Sequence, residues 1–206
     1  MDNNTDLPRE YRDGWTEFLN CHIDLSLHPL IPRPETEYWV EQAIKKIRLE
    51  PKVKVLDLFS GSGCIGIALA THCPNAEVML ADIKNYISTP LPNNAHFIQS
   101  DLFSNIPGKF DFILANPPYV AEGSGVAGIM NHEPHSALYA GPDGLDIIRP
   151  FLAQAPAHLL PGGQIWLEFG SDQKSQVEKL LQPSQLLNSQ FHRDQYSRWR
   201  YLVITN

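Results

Sequence analysis

From Val53 onward, short apolar runs with strand character alternate with segments of helical patterning, and no other feature of the chain restricts its fold as tightly. Val53 to Ser60, Glu77 to Ala81, His96 to Gln99, Phe110 to Ala115 and Gln164 to Phe169 read as strands. Cys64 to His72, Gly144 to Leu160 and Gln173 to Leu181 read as helices, and Phe191 to Ser197 with Trp199 to Thr205 reads as a terminal hairpin closing the sheet. Alternation of this kind predicts an α/β fold, a doubly wound and mostly parallel sheet whose ligands sit at the carboxyl ends of its strands. Upstream, Trp39, Val40, Ala43, Ile44 and Ile47 recur at helical spacing behind Pro34, a residue suited to the first helical position. Glu17 to Leu25 suggests a small hairpin, and residues 1 to 14 are polar, with structure expected to start near Trp15. Residues 1–33 are therefore expected to form a polar tail with a hairpin-like extension, and 34–206 the domain that holds the sheet.

Two strand ends carry the chemistry. Phe110 to Ala115 runs into Asn116-Pro117-Pro118-Tyr119, a side-chain amide followed by two residues without a backbone N–H. Such an edge is rich in acceptors and suits an incoming planar amine, while the Tyr ring can stack on a flat conjugated group. The strand from Val53 runs into Gly61-Ser62-Gly63-Cys64-Ile65-Gly66, a G-x-G-x-x-G that opens a helix, with Asp82 at the end of the next strand. That spacing lets backbone approach a nucleotide cofactor closely and places an acid at a ribose diol, a pattern shared with nicotinamide dehydrogenases. Asp57 adds a second carboxylate beside the loop, which suits the ammonium of S-adenosylmethionine better than the pyrophosphate of NAD. Ser100-Asp101-Leu102 ends the third strand and fits either an adenine edge or an ordinary helix start.

Composition narrows the classes further. The 206 residues suit one domain, and no stretch approaches the roughly 20 apolar residues of a membrane span. The acidic, polar N-terminus has no signal-peptide pattern, which predicts a cytoplasmic protein. Cys21, Cys64 and Cys73 have neither disulfide nor zinc spacing, the His residues form no ligand pattern, and no metal is expected. With 16 basic against 23 acidic residues, a net charge of −7 weighs against nucleic acid as a partner.

Together these segments resemble the HemK/PrmC family, methyltransferases that modify the glutamine of the Gly-Gly-Gln motif in peptide-chain release factors. The resemblance runs through Ile31 to Glu37, Leu56 to Gly63, Ala81-Asp82-Ile83, Gln99 to Phe103, Asn116 to Tyr119, Glu133-Pro134, Ala137-Leu138, Gly141 to Leu145, and Pro161-Gly162-Gly163 with Glu168. It implies a Rossmann-like class I methyltransferase fold and S-adenosylmethionine as cofactor. It also implies cofactor contacts from Thr36, Asp57, Phe59, Ser60, Gly61, Ser62, Gly63, Asp82, Asp101, Leu102 and Asn116. Asn116, Pro117, Pro118 and Tyr119 would hold the substrate amide, with a release factor as partner. Arg33, Glu35 and Glu37 match either a lid-like segment or an ion-pair cluster at a helix start. Glu133 and Asp143 either order a loop over the substrate, with the Gly-rich stretch from Gly123 to Ala127, or begin the next helix.

The chain departs from the family pattern in three places. Phe59 stands where the family has a glycine, so that turn must be made with a side chain present. Only thirteen residues separate Asp82 from His96, where the family has a helix, so one cofactor wall is shortened. The family's N-terminal helical domain is expected to be missing, which bears on substrate affinity. Two other readings remain at this point: an amino-methyltransferase acting on adenine or cytosine, whose flat amino groups suit the same edge, and a non-catalytic cofactor-binding scaffold for a partner subunit.

Overall fold

The computed structural model describes residues 6–125, 127–182 and 188–206. A one-turn helix α1 (Arg9–Asp13) leads into a hairpin of β1 (Trp15–Phe18) and β2 (Cys21–Asp24), followed by α2 (Pro34–Ile47). Then come β3 (Val53–Leu58), α3 (Cys64–His72), β4 (Ala76–Asp82), β5 (Ala95–Gln99) and β6 (Phe110–Ala115). The remaining elements are α4 (His135–Leu138), α5 (Ile148–Gln154), β7 (Leu159–Glu168), α6 (Lys174–Leu180), β8 (Ser189–Arg193) and β9 (Trp199–Thr205), with 3-10 turns at Gly128–His132 and Ala155–His158. Seven strands form one sheet in the order β5-β4-β3-β6-β7-β9-β8. The pairs from β5 to β7 are parallel, and β9 runs antiparallel to both β7 and β8.

Side-chain alternation divides the core into two layers. Val55, Val78, Leu80, Phe112 and Leu114 face α2, α3 and the hairpin, where Trp39 and Ile47 are fully buried. Leu56, Leu58, Met79, Ile113 and Ala115 face the other way, against Phe151 of α5 and Val177 of α6. Both faces are covered, as a parallel sheet requires. The order reverses at β3, which pairs with β4 on one side and β6 on the other, and such a switch point is where doubly wound sheets bind their ligands.

Several expectations about element bounds are corrected. Residues 9 to 13 are helical rather than frayed, because Tyr11 is buried and its hydroxyl donates to the Pro29 carbonyl, while Gly14 in left-handed conformation ends the turn. Residues 1–5 of that segment, and Val126 of the Gly-rich stretch, lie outside the described residues. The expected helix from Gly144 to Leu160 is short: Gly144 has φ 73°, α5 covers only Ile148–Gln154, and Leu159 already belongs to β7. The strand expected from Phe191 to Ser197 ends at Arg193, where Asp194 Oδ1 accepts the N–H groups of Tyr196 and Arg198 and turns the chain. No helix joins β4 to β5. Tyr86 is buried in that connection, and Asn94 Nδ2 anchors its end on the carbonyls of Ala70 and Ala76.

Candidate active site

A cavity of about 340 Å³ opens at the carboxyl ends of β3, β4, β5 and β6. One wall is the loop between β3 and α3, contributing Phe59, Ser60, Gly61 and Ser62. Phe59 adopts φ 66°, a left-handed conformation that costs a non-glycine residue about 1–2 kcal/mol. Its ring, 6.0 Å from that of Phe151, packs into the second core layer. The turn that a glycine would make freely is thus held by an aromatic anchor. Gly63 follows at φ 81°, with the Ile67 and Leu80 side chains closing on its Cα. Asp82, on the facing wall, accepts the Gly61 N–H at 2.9 Å and the Lys84 N–H at 3.1 Å, which ties the loop to β4. Burial holds its carboxyl above the usual range.

Behind this loop Asp57 is wholly buried. One oxygen accepts the Gly66 N–H at 2.8 Å, the other has no partner among the described residues, and burial pushes the carboxyl up to about 7. The Ser60 hydroxyl also finds no partner among them. Two unsatisfied polar groups at a glycine loop fit a ligand that brings donors and positive charge, as the amino-acid end of S-adenosylmethionine does, and not a pyrophosphate. On the next wall Ser100 Oγ donates to the Leu102 carbonyl and accepts the Asn105 N–H, forming a tight turn with Leu102 at φ 47°. This turn presents Leu102 and the exposed Asp101 to the cavity.

Asn116 and Pro118 border the same cavity from the end of β6, beside Thr36 of α2. Asn116 Nδ2 donates to Thr36 Oγ1 at 3.3 Å, and Thr36 Oγ1 donates to Glu168 Oε2 at 2.8 Å. Glu168 ends β7 and is 1% exposed. It also accepts the Trp39 indole N–H at 2.6 Å and the Tyr119 hydroxyl at 3.1 Å. Burial raises its carboxyl, against those bonds and the charge of Arg200, and burial with Glu168 raises the Tyr119 hydroxyl. Gln173 holds the other end of the tetrapeptide, donating to the carbonyls of Tyr119 at 2.9 Å and Asp143 at 3.1 Å.

Of the residues singled out in the sequence, Thr36, Phe59 to Ser62, Asp82, Asp101, Leu102, Asn116 and Pro118 border one cavity. Asp57, Gly63, Pro117 and Tyr119 support it from outside that lining. Glu133 and Asp143 separate in role. Glu133 is buried and accepts the Ile31 N–H at 2.8 Å and the Arg33 guanidinium, strapping residues 31–33 over the cavity, whereas Asp143 makes an exposed pair with Arg149. Glu37 accepts the Leu19 N–H and so serves the hairpin. Sequence reasoning did not single out Gln173 or assign Glu168 a role. The signal for Glu168 was an acid closing an apolar strand, Ile165-Trp166-Leu167-Glu168, as Asp82 closes β4.

The sheet order, the glycine loop at the switch point and the acceptor-rich edge beside it define a class I methyltransferase. The methyltransferase small domain family model matches residues 41–193. A release factor glutamine methyltransferase from Xylella fastidiosa strain Temecula1 is 36% identical over 96% of this chain and 76% of its own length. One from Deinococcus radiodurans is 34% identical over 79% of this chain and 62% of its own length. Among solved structures, the release factor-specific protein-(glutamine-N5) methyltransferase from Alicyclobacillus acidocaldarius superposes with a TM-score of 0.54 at 25% identity, covering 86% of this chain and 94% of that one. The chain belongs to the release factor glutamine methyltransferase family. No helix among the described residues is long and apolar enough to cross a membrane.

Proposed function

We propose that this chain methylates the side-chain amide nitrogen of the glutamine in the Gly-Gly-Gln motif of peptide-chain release factors. The observation that carries this reading is the meeting of Asn116 and the glycine loop on one cavity, with Asp82 and Asp101 on its other walls. S-adenosylmethionine, bound there, supplies a methyl group on a positively charged sulfur. Asp82 is suited to its ribose hydroxyls, Asp101 and Leu102 to its adenine, and Asp57 with Ser60 to its ammonium.

An amide nitrogen is a poor nucleophile because its lone pair is delocalised into the carbonyl. Asn116 Oδ1 and the Pro117 carbonyl accept its two N–H groups, fixing its plane and favouring loss of planarity as the new bond forms. No described residue donates to the Pro117 carbonyl, and Pro117 and Pro118 bring no N–H of their own to compete. Positioning of this kind supplies most of the rate when the reacting group itself is weak. The Tyr119 hydroxyl is held protonated by burial beside Glu168, so it is unsuited to act as a base, and the surplus proton leaves to water after transfer.

The test is to incubate the chain with S-adenosylmethionine and a purified release factor and to fragment the Gly-Gly-Gln peptide by mass spectrometry. One added methyl on the glutamine side chain is expected. An unmodified peptide, with cofactor binding established separately, overturns the substrate assignment.

A further inference from the structure

We infer that Glu168, although it stands behind the cavity wall, is a positioning residue that sets which atom of the Asn116 amide faces the substrate, acting through the Thr36 hydroxyl. The inference rests on the reaction proposed above and adds to it the means by which the chain presents an acceptor rather than a donor to the incoming amide.

The Trp39 indole has only a hydrogen to offer, so Glu168 Oε2, 2.6 Å away, must accept. Arg200 Nη1, which can only donate, reaches the Tyr119 hydroxyl oxygen at 3.5 Å, and this leaves the Tyr119 proton for Glu168 Oε1 at 3.1 Å. Both oxygens of Glu168 are therefore acceptors. Thr36 has a single hydroxyl proton, and a carboxylate oxygen 2.8 Å away takes it in preference to a neutral amide oxygen. With its proton committed, Thr36 Oγ1 can only accept from Asn116, and the amide must turn Nδ2 toward it. Oδ1 is then the free acceptor, and no described residue donates to it. With the amide reversed, Thr36 and Asn116 would set two acceptors against each other and offer the substrate an N–H it cannot use.

The same carboxylate orders both ends of the tetrapeptide, Asn116 through Thr36 and Tyr119 directly. Its place follows from the sheet. β6 and β7 are parallel neighbours with Ala115 opposite Leu167, so the residues that follow, Asn116 and Glu168, leave the sheet side by side.

Three variants and two readouts test this. Thr36→Val keeps the shape and removes the acceptor; Thr36→Ser keeps the hydroxyl. With a release factor as substrate, Thr36→Val is expected to lower kcat about tenfold, the weight of one lost orienting hydrogen bond. KM for the release factor should stay within about threefold in that variant, and Thr36→Ser should restore kcat to within about threefold of the parent. Glu168→Gln should lower kcat at least as far, because its amide cannot satisfy Trp39, Thr36 and Tyr119 together. The second readout needs no substrate: the side-chain 15N amide resonance of Asn116, identified by its loss in Asn116→Ala, should shift or double in both Thr36→Val and Glu168→Gln. An unmoved resonance in folded Thr36→Val, or an unchanged kcat in Thr36→Val when the parent does methylate the release factor, overturns the inference. Absence of methylation by the parent overturns only the substrate reading, and the resonance then still decides the positioning role.

Discussion

Gly144 lies so close to the backbone of Tyr119 that a Cβ there would stand 2.2 Å from the Tyr119 carbonyl oxygen. The Gly-Pro-Asp-Gly-Leu segment therefore clamps the Asn116 to Tyr119 segment, with Gln173 Nε2 donating to that same carbonyl at 2.9 Å.

Gly144→Ala combines a left-handed φ of 73° with a collision against backbone, so Tyr119 must move. Overpacking of this kind costs about 1–3 kcal/mol. A displacement near 1 Å at a reacting centre costs roughly 100-fold in rate. Turnover of Gly144→Ala should fall on that scale, with cofactor affinity measured by calorimetry within about tenfold of the parent.

The last glycine of the G-x-G-x-x-G run has a different task. A Cβ on Gly66 would lie 2.4 Å from Leu80 Cγ, so the glycine sets how closely α3 can approach β4. Gly66→Ala should lower stability to chemical denaturation by about 1–3 kcal/mol, and the double variant with Leu80→Ala should lose less than the sum of the two separate losses. Full additivity would contradict the contact.

Glu133 and Asp143 make a matched pair of tests. The Glu133 side chain is fully buried against Arg33 and the Ile31 N–H, and deleting one partner of a buried pair costs about 3–5 kcal/mol. Glu133→Ala should destabilise the chain strongly and weaken cofactor binding, because Leu30, Pro32 and Arg33 line the cavity. Asp143→Ala, which loses an exposed pair with Arg149 and an acceptor for the Leu145 N–H, should lower the unfolding midpoint far less.

Asp57 predicts a pH dependence of definite sign. Its carboxyl is raised to about 7, so the folded chain holds this proton more tightly than the unfolded chain does. The stability it favours is complete below about pH 4 and is lost as pH rises through about 7, a change on the order of 1–4 kcal/mol. Asp82 and Glu168 are raised in the same direction, so the part due to Asp57 is isolated by comparison with Asp57→Asn. That variant should melt higher than the parent at pH 8 without ligand, and lose the strengthening of S-adenosylmethionine binding with rising pH. A parent affinity that is flat from pH 6 to 8 would contradict the role given to Asp57.

What was legible in the sequence was local. The strand-helix alternation from Val53, the glycine loop and the Asn116 to Tyr119 edge all appear as contiguous patterns, because each is built from a strand and the few residues that end it. What escaped depends on distant partners. Tyr11 orders α1 only because its hydroxyl reaches Pro29, and Asp194 stops β8 by capping a turn that composition does not announce. Glu168 joins Thr36, Trp39 and Tyr119 across sequence gaps of 132, 129 and 49 residues, so its role emerges only when the ends of β6 and β7 and the start of α2 converge. Pro34 correctly marked the beginning of α2, but nothing nearby indicated that Thr36, two residues on, faces a buried carboxylate.

The most direct test of the account is Asn116→Ala, assayed with S-adenosylmethionine and a release factor by fragment mass spectrometry, with cofactor affinity measured in parallel. If Asn116 Oδ1 holds the substrate amide, glutamine methylation is abolished while the cofactor Kd stays within about tenfold, a difference of ~1.4 kcal/mol. Methylation at the parent's rate in this variant would contradict the central claim.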